Sequence, residues 1–195
     1  MAYKSAVLFI TNFADQAVIL PLLLAVTIAL AAQGWRRGAV VWLGVVGTTF
    51  SVVLLLKLVC LACAPVDGLA ELRSPSGHVA AAAVVAGGLA ALLTRRRLSI
   101  LSVGVLAAVV IGVSRLVLNM HSLPEVAVGA GVGLAGATAL VSMAGPPPTL
   151  KPGKLFALVV IVVAVFHGLH LPAEAAIRHA AFRAAHVLEV CQQPA

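Results

Sequence analysis

Charge is what this sequence has least of. Of its 195 residues, 10% are Asp, Glu, Lys or Arg and 62% are hydrophobic. A soluble domain carries about 25% charged and about 45–50% apolar residues. The shortfall excludes an ordinary soluble fold. The apolar residues come in blocks, several of which approach the roughly 17–25 residues that cross a bilayer as helix. Acidic residues are fewest of all, 6 against 13 Lys and Arg, for a net charge of +7. In a soluble chain that surplus suggests nucleic acid. No nucleic-acid motif is present, and the cations sit in short loops between apolar blocks, which is a topology signal of membrane proteins. Cysteine is scarce too: Cys60, Cys63 and Cys191. Cys60 and Cys63 form C-L-A-C with no second pair to complete a zinc site, so they read as small buried apolar side chains. The first long apolar block lacks a basic start and a cleavage site, which argues against a secretory leader. No internal repeat is visible.

Six spans follow from the hydropathy pattern: Ala17–Ala32, Ala39–Leu56, His78–Leu93, Leu98–Leu118, Val126–Ala144 and Leu155–Leu171. All are expected to be helices, because an open strand leaves its backbone unsatisfied in lipid. The fold class is therefore all-α, a polytopic membrane bundle of six transmembrane helices in a single domain over residues 1–195, with a catalytic core at about 39–144. Spans three and five are rich in Gly and Ala and should be central, since small residues let helix backbones approach. The bulky sixth span should face lipid. After Pro172 the chain is too polar to span, and an interfacial helix is expected at about 173–190, with Arg178, Arg183 and Glu189 toward water. His179 and His186 read as polar-face residues of that helix.

Arg36 and Arg37, Arg95 to Arg97, and Lys151 with Lys154 fall in loops that share one side. The positive-inside rule makes that side cytoplasmic and places both termini outside. The other side collects the unusual polar residues. Ionisable groups at membrane depth are functional candidates by default.

In Ser74-Pro75-Ser76-Gly77-His78, Ser74 is expected to cap a helix whose first residue is Pro75. The N–H groups of Ser76, Gly77 and His78 would then form an anion site; an ordinary cap is the alternative. In Ser114-Arg115 through Glu125, helical spacing would set the Glu125 carboxylate beside the His121 ring. A carboxylate there fixes the tautomer and makes the other nitrogen a better nucleophile or base. Ser122 to Glu125 equally reads as a capping box, with Glu125 serving only the helix start. Lys57 closes an apolar run and can simply snorkel. Lys57, Arg73 and Arg115 with two histidines suit a tetrahedral phosphate ester. His167 and His170 read as interfacial histidines rather than a metal pair.

Together these stretches resemble the type 2 phosphatidic acid phosphatases, the PAP2 membrane phosphatases related to vanadium haloperoxidases. That family's signature is K-x6-R-P, then P-S-G-H, then S-R-x5-H-x3-D. Here it reads Lys57 to Ala64-Pro65, Pro75-Ser76-Gly77-His78, and Ser114-Arg115 to His121 to Glu125. Two positions depart: Ala64 replaces the first-motif arginine, for which Arg73 can substitute, and Glu125 replaces aspartate. The resemblance implies His121 as nucleophile, Glu125 as its orienting carboxylate and His78 as proton donor. It implies Lys57, Arg73, Ser76, Gly77, Ser114 and Arg115 as phosphate-binding residues. No cofactor and no metal are expected. The implied partners are the bilayer and a phosphorylated membrane lipid, with undecaprenyl pyrophosphate favoured over phosphatidic acid, phosphatidylglycerol phosphate and lipid A. The implied location is the outer face of a bacterial plasma membrane. A phosphotransferase using the same residues and a catalytically silent member are the alternatives. A transporter is disfavoured, because its polar groups would lie at mid-membrane.

Overall fold

The computed structural model describes residues 2–62, 74–93, 97–146 and 151–188. Every element among the described residues is a helix. The order is α1 (Ala2–Thr11), a single 3-10 turn (Asn12–Ala14), α2 (Gln16–Ala32), α3 (Arg36–Ala62), α4 (Gly77–Leu93), α5 (Arg97–Val117), α6 (Leu123–Ala144), α7 (Pro152–Phe166) and α8 (Ala173–Leu188). Three stretches, Tyr3–Ala32, Arg36–Leu61 and Leu123–Ala144, are long and apolar enough to cross a membrane. Gly77–Leu93, Leu101–Val117 and Pro152–Phe166 are shorter apolar helices. The chain is a helical membrane bundle, and large side chains such as Leu24, Ile28, Leu106 and Val165 stay exposed on its outside, where lipid would cover them.

The six expected spans correspond to α2 through α7. Central packing falls where the small residues are. Helix α4 is buried on nearly every side, from Val79 through Val85 and again at Gly87, Gly88 and Leu92. A helix that is apolar all round belongs in the interior. Helices α5 and α6 flank it, and α6 reaches it through two glycines. A Cβ at Gly129 would land on the Ser76 carbonyl oxygen, and one at Gly133 on the Ala80 carbonyl oxygen. The backbones meet because no side chain separates them. Trp42 of α3 is fully buried and donates its Nε1–H to the Leu23 carbonyl of α2 at 3.1 Å. Helix α7 buries Leu155 and Val162, rests Leu158, Val159 and Phe166 half-buried on the core, and turns Phe156, Val160, Ile161 and Val165 outward.

Two ends of the bundle are distinct. At one, the Arg37 guanidinium donates two bonds, of 3.2 and 2.9 Å, to the Met143 carbonyl, and the Lys151 N–H donates to Gln33 Oε1 at 3.0 Å. At the other end, α3 and α5 finish and α4 and α6 begin. Arg95 and Arg96 lie outside the described residues.

Several expectations change. Residues 2–11 form α1, where no element was expected; Lys4 and Ser5 interrupt its apolar signal. Helix α3 runs six residues beyond Leu56, so Lys57 lies inside it at 3% exposure rather than snorkelling to water. Helix α7 stops at Phe166, not Leu171. His167 turns extended and Gly168 takes a φ of 88°, a conformation that ends helices. His167 Nε2 then lies 3.0 Å from the Phe9 carbonyl oxygen, with its ring against Phe9 and Phe13, which fastens this end of α7 to α1. Helix α8 forms where an interfacial helix was expected, with Arg178, His179 and Arg183 exposed, but its first turn packs against α3. Glu189, Cys63 and Cys191 lie outside the described residues.

Gly133→Val is expected to part α4 from α6. Overpacking costs about 1–3 kcal/mol or more, so the thermal midpoint in detergent should fall. An unchanged midpoint would show that this close approach is not needed.

Candidate active site

Helix α4 starts later than expected. Gly77 is its first residue, and the intrahelical ladder opens with the Ala80 N–H bonding the Ser76 carbonyl at 3.2 Å. Ser74 and Pro75 stay outside it. The reason lies in α6: the Ser74 N–H donates to Glu125 Oε1 at 2.6 Å, and the Ser76 N–H donates to the Glu125 carbonyl at 3.0 Å. Both donors are spent on another helix, so Ser76 occupies the cap position. The N–H groups without an intrahelical acceptor are those of Gly77, His78 and Val79, since a helix leaves its first donors unpaired. Ser76 Oγ is buried with no hydrogen-bond partner among the described residues. Gly77 lies against Lys57: a Cβ there would be 3.7 Å from Lys57 Cε, ordinary contact.

His121 is not in a helix. Asn119 takes a φ of 53° and turns the chain after α5; Asn tolerates that left-handed conformation. Helix α6 then starts at Leu123, three residues before Val126, through a complete capping box between Ser122 and Glu125. The two readings of Glu125 hold together. Its Oε2 accepts from the Ser122 N–H at 3.1 Å and lies 2.8 Å from His121 Nδ1. A carboxylate acceptor puts the proton on Nδ1 and leaves the Nε2 lone pair available. Glutamate has the reach that a capping box needs at this position. Burial holds the His121 ring below the ordinary histidine range, with the charges of Arg115 and Lys57 pushing the same way and the Glu125 bond opposing. The ring is neutral at neutral pH.

Arg115 ends α5, and its Nε is buried without a partner among the described residues. Ser114 is buried, and its hydroxyl donates to the Ile111 carbonyl at 2.6 Å. Arg73 lies outside the described residues, as do Ala64, Pro65, Asp67 and Glu71.

Two site residues were not anticipated. Asp15 caps α2, accepting from the Ala17 N–H at 2.8 Å, and its Oδ2 lies 3.8 Å from His78 Nε2. Glu174, in the first turn of α8, pairs with Lys57 Nζ at 2.5 Å and accepts from Ser74 Oγ at 3.4 Å. Burial alone would raise the Glu174 carboxyl. The Lys57 hydrogen bond and the charges of Lys57, His121 and Arg178 outweigh that and hold it below the usual carboxylate range. Asp15 at the cap of α2 and Glu174 in the first turn of α8 both lie outside the signature, where they read as ordinary helix-start acids. Their rarity was the available signal: three of the six acidic residues in the chain, Asp15, Glu125 and Glu174, meet at this end.

The family model of the PAP2 superfamily matches residues 62–146. The match covers less than half of the chain and supports membership of the PAP2 family. The match covers the second and third stretches of the signature and stops short of Lys57, which the fold brings back beside Gly77. The superfamily is generally one of phosphatases. No curated protein and no solved structure matches the chain.

Glu125→Gln is expected to leave a buried N–H of Ser74 or Ser122 facing an amide, at a cost of about 1–3 kcal/mol. It should also remove the bond that raises the His121 pKa. His121 in the variant should then titrate at lower pH than in wild type, readable by NMR of the labelled ring. Titration at unchanged or higher pH would show that Glu125 does not set this ring's protonation.

Proposed function

We propose that the protein is a membrane-embedded lipid phosphatase working through a phosphohistidine without a metal. One observation carries the reading. Unpaired donors, namely Arg115 Nε, Ser76 Oγ and the first N–H groups of α4, gather at the same end as an imidazole whose Nδ1 is held by a carboxylate. Such donors suit the equatorial oxygens of a phosphoryl group in transfer. His121 Nε2 attacks phosphorus in line. The N–P bond forms as the P–O bond to the lipid breaks, and His78 protonates the leaving oxygen. His78 then takes a proton from water, whose oxygen attacks phosphorus and releases inorganic phosphate from His121. Lys57 and Arg115 neutralise the developing charge.

A cavity supports a lipid substrate. It measures about 500 Å³ and is almost wholly apolar, lined by α1, the turn before α2, α2, α4 and α5, including Ala14, Ala82, Ala86 and Ile111. Ala14 adjoins Asp15, and Ala82 is one turn along α4 from His78. A chain in this cavity would keep its head group near the two histidines. The preferred substrates are lipids with a terminal phosphate or pyrophosphate, undecaprenyl pyrophosphate first. The basic loops at the opposite end of the bundle favour a site on the outer face of a bacterial plasma membrane.

Purified protein with chelator present is expected to release inorganic phosphate from undecaprenyl pyrophosphate, phosphatidic acid, phosphatidylglycerol phosphate or phosphorylated lipid A. His121→Ala should abolish release while the protein still elutes as a folded species in detergent. Release that survives in the variant would overturn the nucleophile. The acid limb of kcat/KM should lie below about 6.5, the ordinary histidine value, because the neutral ring is the active form and protonation removes its lone pair. A limb above that value would contradict the buried, cation-flanked ring.

Ala86→Phe is expected to raise KM for a long-chain substrate more than for a short-chain analogue, because it fills the cavity without touching the histidines. Equal effects on both would separate the cavity from the lipid chain.

A further inference from the structure

Resting on the phosphatase reading, we infer that Asp15 is a positioning residue that holds His78 as proton donor to the oxygen carrying the lipid chain. The two form a second carboxylate–imidazole pair, and Asp15 comes from outside the signature. Asp15 Oδ2 lies 3.8 Å from His78 Nε2, while Oδ1 is fixed by the Ala17 N–H at 2.8 Å. The cap therefore aims the free oxygen. Asp15 is buried, whereas 25% of the His78 side chain is open to a ligand. The gap exceeds a hydrogen bond, and catalytic contacts of this kind tighten when substrate binds. With Asp15 on Nε2, Nδ1 is the nitrogen left to meet the substrate.

Charge explains why the acid is needed. Lys57 from α3 and Arg115 from α5 bear on the His78 ring, and Asp15 is the acid that opposes them. Glu125 of α6 is bound to His121, and Glu174 of α8 to Lys57. His170, beyond α7, bears on Asp15 itself. Two cations repel the proton that a general acid must keep until the leaving oxygen takes it, and a fixed carboxylate offsets them. Glu125 acts differently on His121, because its oxygens also accept from the Ser74 and Ser122 N–H groups.

The apolar cavity puts this pair at the bond that breaks. Ala14, next to Asp15, and Ala82, one turn from His78, both line it. The oxygen that leaves is the one attached to the chain in that cavity. As His121 Nε2 forms the N–P bond, the P–O bond breaks with its electron pair on the lipid oxygen. The Nδ1 proton of His78 passes to that oxygen, which leaves His78 neutral and Asp15 ionised as before.

Asp15→Asn removes the charge and keeps the helix cap, because Asn caps as well as Asp. The test gives full-length protein in detergent two substrates. The alcohol of phosphatidic acid leaves poorly without a proton, and the phenolate of p-nitrophenyl phosphate leaves without one. The readout is kcat/KM, which ends at departure of the leaving group and omits the shared hydrolysis of phosphohistidine. The ratio of kcat/KM for p-nitrophenyl phosphate to that for phosphatidic acid should rise by about tenfold or more in Asp15→Asn, within the reach of general acid catalysis. His78→Ala should raise the same ratio, and adding Asp15→Asn to it should change little, since Asp15 acts through that ring. A merely structural role would lower kcat/KM for both substrates together. An unchanged ratio in Asp15→Asn, or a full effect that persists without His78, would overturn the inference and leave the phosphatase reading standing. Release from neither substrate by wild type would overturn that reading, and the inference with it.

Discussion

One carboxylate holds this site together. Glu125 closes the capping box that starts α6, fixes the His121 ring through Nδ1, and receives the Ser74 N–H on its other oxygen. Its own carbonyl takes the Ser76 N–H. Two stretches that lie far apart in sequence are thereby registered to within hydrogen-bond distance by one residue. The side chain is 8% exposed, and a buried carboxylate is tolerable only when its oxygens are this fully engaged. Stability and chemistry are therefore not separable at position 125. The additional methylene relative to aspartate lets one side chain serve all three partners.

That clamp works because α4 and α6 touch backbone to backbone. Gly129 leaves room for the Ser76 carbonyl, so the start of α4 is pressed against the first turns of α6. Packing of the bundle and placement of the unpaired donors are one problem with one solution. The start of α4 has Gly77, His78 and Val79 as its unspent donors, and it falls at Gly77 because Ser74 and Ser76 have given their N–H groups to α6.

Much of this was legible. The apolar blocks located α2 through α7, and the small residues of the third and fifth blocks marked the centre. Spacing in the third stretch brought His121 and Glu125 together, although through a capping box rather than along a helix side. What escaped was set by contacts that hydropathy does not carry. The start of α4 moved from Pro75 to Gly77 because another helix consumed its N–H groups. The end of α7 moved because Gly168 broke it. Helix α1 escaped because its polar residues disguise it. Asp15 and Glu174 escaped because an acid at a helix start is an ordinary cap or dipole partner, and only the fold shows that the two reach the same place.

The positions of those two acids have a consequence for how the molecule is made. Asp15 stands at the start of the second helix and Glu174 at the start of the eighth, yet both flank the histidines. A chain inserted helix by helix has the unpaired donors at the start of α4 and on α5 in the membrane before α8 has emerged. During that interval Lys57 has no carboxylate from α8 beside it. The nascent bundle therefore passes through a stage of greater positive charge at this end, which the arrival of Glu174 cancels. A helix that lies at the interface thus sets the resting charge of a site built by the helices that cross the membrane.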